Sequence, residues 1–141
     1  GHLMGLESYR YTIAIAAEDC WRGFGTLDDM IGLCAQARES ENVQLDVDAY
    51  NSLLEGIAGL AQHNMSSLAD GERVMEWCTE DGLVPNEITW AGLLDIIVGE
   101  ARHGRASLAH TSRVLASMRE AKVTNKRNLD KWAEEITRIV R

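Results

Sequence analysis

Apolar residues recur at three- and four-residue spacing in seven stretches of this chain, the period of one face of an α-helix. The first runs about Ser8 to Asp19 and carries Tyr11, Ile13, Ala14, Ala16 and Ala17; Gly23-Phe24-Gly25 breaks it. Thr26 then offers a hydroxyl cap, with Asp28 and Asp29 in the first turn, to a second helix holding Leu27, Met30, Ile31, Cys34 and Ala37 and running to about Glu41. Asp48 is the expected cap of a third helix, to about His63, with Leu53, Leu54, Ile57 and Leu60 in its stripe, and Asn64 breaks it. Ser66 or Ser67 caps a fourth, with Leu68, Val74, Met75 and Cys78. Gly82, with Pro85 three residues on, marks its end. Asn86 caps a fifth helix through about Arg102, and Gly104 closes it; a sixth spans about Ala106 to Ala121. Asn125 caps a seventh, striped by Leu129, Trp132, Ala133, Ile136 and Val140. Helix over more than half the residues and no sheet is the expectation.

The pattern repeats. Shifting the chain by 40 residues superimposes Leu53, Leu54, Ile57, Gly59, Ala61, His63, Ser67, Leu68, Ala69, Arg73, Val74 and Glu80 on identical residues from Leu93 to Glu120. That is 12 identities over the 40 pairs from 47/87 to 86/126, with Tyr50/Trp90 and Glu55/Asp95 as conservative pairs. A fixed period in this range signals stacked helical hairpins, each too small to bury its own faces alone. The chain divides into a leader (1–7), three units (8–46, 47–86 and 87–126) and a closing helix (127–141). Gly1-His2-Leu3-Met4 looks like an expression scar.

Charge adds an asymmetry. Residues 1–100 carry 4 basic and 18 acidic side chains, net −14; residues 101–141 carry 10 basic and 4 acidic, net +6. The acidic part repels a polyanion and the basic part attracts one. No apolar run reaches the roughly 20 residues that cross a bilayer, so no membrane partner is expected. Three cysteines without CxxC or zinc-ligand spacing read as buried thiols in a reducing compartment.

No catalytic constellation is legible. Cys34 and Cys78 lie on apolar stripes. His63 and His103 are repeat equivalents near helix ends, and neither an HExxH nor a phosphate-binding glycine loop occurs. Neither an enzyme nor a cofactor is expected. Trp21, Trp77, Trp90 and Trp132 read as packing residues.

Tyr50-Asn51-Ser52-Leu53-Leu54 opens the middle unit and Gly82-Leu83-Val84-Pro85-Asn86 closes it; Trp90-Ala91-Gly92-Leu93-Leu94 opens the next. These two ends resemble those of the pentatricopeptide repeat family, whose units are helix–turn–helix. The resemblance covers about Ser8 to Lys126, most firmly in the middle unit. It implies an all-α right-handed solenoid. It also implies a single-stranded-RNA-binding protein of a mitochondrion or chloroplast, acting in RNA processing, stability or translation. One repeat of such a protein meets one base, read by two or three side chains.

The fifth and final residues of a unit carry that reading in the family. By resemblance, Asn51 and Asn86 suggest a pyrimidine. Thr12 and Asp46 favour guanine, provided that Tyr11 rather than Tyr9 is the opener. Ala91 and Lys126 do not discriminate. The family's second residue sandwiches the base, a place that Ile88 fits and Asp48 does not. Lys126 and Arg127 are the candidate phosphate-positioning pair. The acidity of the first hundred residues supports another class, a helical-repeat protein–protein scaffold within a ribonucleoprotein or other assembly. Ile13 and Ile15, with no cap before them, leave self-association through the array ends open.

Overall fold

A computed structural model of the chain describes residues 5–121 and 126–140. Among them are seven α-helices and no strand: α1 (Leu6–Trp21), α2 (Leu27–Glu39), α3 (Val47–Gln62), α4 (Leu68–Glu80), α5 (Glu87–Arg102), α6 (Leu108–Glu120) and α7 (Lys126–Val140). The odd helices α1, α3 and α5 are each 16 residues long, and the even helices α2, α4 and α6 are each 13. The second and third hairpins begin 40 residues apart, as the sequence period requires. The first begins at Leu6, 41 residues before Val47. It therefore starts two residues earlier than the opening of the first unit expected from sequence, and the difference matters below.

The odd helices form one continuous layer. α3 packs along α1 on one side and α5 on the other, and α7 lies against α5. Each even helix packs on its odd neighbours, but the backbones of α2, α4 and α6 do not approach one another. This arrangement is compatible with a helical repeat. The core runs through the odd layer as Ile13, Tyr50, Leu53, Leu54, Ile57, Leu93, Leu94, Ile96 and Ile97, joined by Met30, Val74 and Met118 from the even helices. Each such large side chain contributes about 1.5–3 kcal/mol on burial.

Two identities of the 40-residue register explain how the odd helices come so close. A Cβ built on Gly59 of α3 would stand 2.8 Å from the backbone nitrogen of Trp21 on α1. One built on Gly99 of α5 would stand 2.8 Å from the carbonyl carbon of Ala61 on α3. At the same end of the stack, a histidine latches each junction. The His63 Nε2–H donates to the Trp21 carbonyl at 2.9 Å, and the His103 Nε2–H to the Gln62 carbonyl at 2.7 Å. Both histidines sit just past a helix end and satisfy a last-turn carbonyl of the preceding odd helix.

Helix caps follow local chemistry, with one correction. Thr26, Asn86 and Ser107 accept from the backbone N–H three residues on, as expected for hydroxyl and amide caps. The cap of α3 is Asp46, whose carboxylate accepts from the Ala49 N–H at 2.9 Å; Asp48 lies in the first turn instead. Asn64 turns the chain at φ 60° and Gly82 at 78°. The expected cap of α7, Asn125, lies outside the described residues. Leu129, Ala133 and Ile136 of that helix are buried, so α7 closes the stack over α5 and α6. At the other end Ile13 is fully buried, contrary to expectation, while Tyr11, Ile15 and Phe24 are exposed.

Candidate functional site

The fifth and final residues of successive units meet at the N-terminal ends of the odd helices. At the α3–α5 junction the Asn51 Nδ2–H donates to Asn86 Oδ1 at 3.1 Å. Thr89 completes the cluster: its hydroxyl donates to Asn51 Oδ1 at 2.5 Å, and its backbone N–H donates to Asn86 Oδ1 at 3.1 Å. The Asn86 N–H in turn donates to Thr89 Oγ1 at 3.0 Å, closing a capping box. Asn51 is 7 % exposed and Thr89 fully buried, whereas Asn86 faces solvent. An amide has two N–H donors and a carbonyl acceptor. Here the Asn51 acceptor and one donor are spent inside the protein, and the N–H groups of Asn86 remain the accessible edge. Sequence reading missed Thr89. The signal for it was the Asn86-x-x-Thr89 spacing, a capping box with threonine in the usual place of Glu or Gln.

The α1–α3 junction corrects the first unit. Tyr9 is buried at the place that Tyr50 and Trp90 take in the following units, and Tyr11 is 70 % exposed. The aromatic opener is therefore Tyr9, because only that register points the ring into the odd layer. The residue equivalent to Asn51 becomes Arg10. Thr12, half-buried on α1, falls at the equivalent of Leu53, too far along the helix to pair with Asp46. Arg10 Nε stands 3.7 Å from the Asp46 carboxylate, and its Nη2 donates to Asp48 at 3.4 Å. The cation nearest this edge is thus already engaged by two carboxylates, though loosely, since all three side chains are well exposed.

The α5–α7 junction is open. Ala91 has no polar group to bridge it, and a cleft of about 250 Å3 lies between Glu87, Ile88 and Ala91 on α5 and Asn128, Leu129 and Trp132 on α7. Ile88 is 59 % exposed and Trp132 half-buried. The Glu87 carboxylate has one oxygen, Oε2, that is buried without a hydrogen-bond partner among the described residues. A buried acceptor left unpaired is costly until a donor reaches it. Arg127 is exposed in the first turn of α7, while the Lys126 side chain lies outside the described residues. The three junctions in order therefore hold a guanidinium–carboxylate pair, an amide pair and a cleft.

The remaining candidates are structural. Trp21 donates its indole N–H to the Glu55 carbonyl at 2.8 Å, tying α1 to α3. All three cysteines are free and buried. Burial pushes the Cys34 thiol up to about 12, and those of Cys20 and Cys78 to about 11, away from the thiolate that a nucleophile needs. Among the described residues no cluster of His, Cys, Asp or Glu could hold a metal ion, and no helix is long and apolar enough to cross a membrane.

Comparison with known proteins brings no match: no family model, no curated protein and no solved structure is found similar to this chain.

Proposed function

We propose that this chain is a right-handed solenoid of pentatricopeptide type that binds single-stranded RNA along the N-terminal ends of its odd helices. The α5–α7 cleft is its nucleobase pocket. The observation that carries this reading is the row of three junctions, two with the fifth and final residues of a unit in contact and the third open beside Arg127. At about 250 Å3 the cleft is smaller than the roughly 300–1,000 Å3 that holds a drug-sized ligand, a scale that suits one planar ring. Trp132 and Ile88 supply faces for that ring, and stacking on an aromatic side chain is worth about 1–3 kcal/mol per base. Glu87 Oε2 supplies an acceptor for a base with an exocyclic amino group. The resemblance to the family places the parent protein in an organelle and in RNA processing. The acidic first and second units weaken any strand that extends over them, so RNA is held mainly at the basic end.

A titration of labelled random single-stranded RNA at two salt concentrations tests this. Binding should weaken with salt at a slope of about −0.7 per phosphate contacted. Changing Lys126 and Arg127 together to alanine should flatten that slope and weaken all sequences alike, whereas Glu87→Gln should alter base preference and leave the slope unchanged. RNA affinity that is absent, or indifferent to salt, sinks the reading and leaves the protein–protein scaffold in its place.

A further inference from the structure

The grooves between the even helices differ in one respect. Between α2 and α4 the groove is plugged by Arg38, which leaves α2 and crosses to α4. Its Nη1 donates to the Tyr50 hydroxyl at 3.1 Å, to the Trp77 carbonyl at 3.0 Å and to Asp81 at 2.9 Å, and its Nη2 donates to Glu80 at 3.2 Å. Its guanidinium also lies 5.5 Å from the Trp77 ring centroid. The Tyr50 hydroxyl donates to Asp81, which closes the network. One repeat on, between α4 and α6, the plug is missing. In the register of the helices, Thr79 stands where Arg38 stands, Trp90 replaces Tyr50, Ser117 replaces Trp77 and Ala121 replaces Asp81. The volume those two large side chains would fill is a cavity of about 360 Å3.

Three features of that cavity bear on what it takes. Its floor is apolar, formed by Met75, Leu93, Val114 and Trp90. Trp90 is 7 % exposed, and its indole Nε1–H is buried without an acceptor among the described residues. Its rim is acidic on the α4 side: Glu72, held by Arg113 at 2.7 Å, and Glu76, whose carboxylate is exposed and makes no ion pair among the described residues.

We propose that the α4–α6 groove is a docking site for an arginine side chain presented by a partner polypeptide, which enters where Arg38 sits in the preceding groove. The aliphatic stem lies on Met75 and Val114, as long basic side chains commonly lie on apolar surface. The guanidinium meets the Trp90 ring and Glu76, combining cation–π attraction with a charge pair. The indole N–H takes the carbonyl of the peptide unit that carries the arginine, the acceptor Trp90 lacks. This site lies among the even helices, faces a different ligand from the odd-helix edge and does not depend on RNA binding.

The test uses the intact chain and three blocked tripeptides, Gly-Arg-Gly, Gly-Lys-Gly and Gly-Leu-Gly. Each is titrated against the indole N–H resonance of Trp90, assigned by its loss in Trp90→Phe. The arginine peptide should shift that resonance saturably, the lysine peptide should bind at least tenfold more weakly, and the leucine peptide should leave it in place. Glu76→Gln should weaken the arginine peptide severalfold. Thr79→Arg, a change at an exposed position, should rebuild the internal plug and abolish binding. The proposal is overturned if the arginine peptide gives no saturable shift or if lysine or leucine matches it. Unchanged binding in Glu76→Gln or in Thr79→Arg overturns it equally.

Discussion

At the scale of single residues, the same repeat position carries different chemistry according to its neighbours. Asn51 illustrates this. Its type and place suggested a side chain that faces a base, yet the amide is buried against Thr89 and Asn86 and holds the entry of α5 in place. Removing a buried group that makes two hydrogen bonds leaves Thr89 and Asn86 short of partners, each costing about 1–3 kcal/mol when unsatisfied. Asn51→Ala should therefore lower stability by about 2 kcal/mol or more in urea unfolding, whether or not RNA is present. A variant as stable as the parent would mean that water replaces the amide and that the cluster is not structural. Tyr50 shows the same coupling: burial first, and then the hydrogen bond to Asp81, push its phenol well above the usual tyrosine range. Its counterpart Trp90 has no such network and marks the empty groove.

At the scale of elements, the odd helices depend on close approach and the even helices do not. Gly59 and Gly99 lie where a methyl group would meet backbone of the neighbouring helix. Gly32, midway along α2, has nothing within 4 Å of the same imagined atom. Helix propensity alone favours alanine over glycine by about 1 kcal/mol at each place. Gly32→Ala should therefore stabilise the chain by roughly that amount, while Gly59→Ala or Gly99→Ala should destabilise it by about 1–3 kcal/mol as the helices are forced apart. Thermal melts of the three variants separate the cases, and a stabilising Gly99→Ala would contradict the packing described. The repeat identities at these glycines and at His63/His103 thus report junction geometry rather than ligand contact.

At the scale of the whole molecule, charge and the two ends matter most. Asp95 of α5 has its carboxyl pushed above the ordinary range, first by burial and then by Glu55 across the α3–α5 junction, with Arg102 opposing. Glu100 is raised mainly by burial, against the Leu68 N–H that it accepts at 3.1 Å. A carboxyl that holds its proton more tightly when folded favours the fold at low pH, and that contribution is lost as pH rises through its folded pKa. Asp95→Asn should consequently be more stable than the parent at pH 7, with the gap closing as pH falls below the ordinary aspartate range. Urea titrations across pH 3–7 would show it, and a variant less stable at neutral pH would mean that ionised Asp95 is net favourable. The ends are unlike. α7 covers α5 and α6, whereas Tyr11, Ile15 and Phe24 remain open at the α1 end.

The sequence by itself determined the helices, their order and their period, because those rest on local spacing, caps and breakers that act within a turn or two of chain. Its 40-residue register also picked out Gly59/Gly99 and His63/His103 without saying what they were for. Only the tertiary structure decided the register of the first unit. Tyr9 and Tyr11 are equally good helix residues, and burial against α3 selects Tyr9. The cap of α3 was decided in the same way: Asp46 and Asp48 are both plausible by type, and the direction in which the chain enters the helix chooses the first. The emptiness of the α4–α6 groove was likewise beyond the sequence. It depends on Thr79, Trp90, Ser117 and Ala121, which lie up to 42 residues apart in the chain and share a cavity only once three helices are packed. Local periodicity records which face of a helix is buried; what meets that face is set by residues a full repeat away.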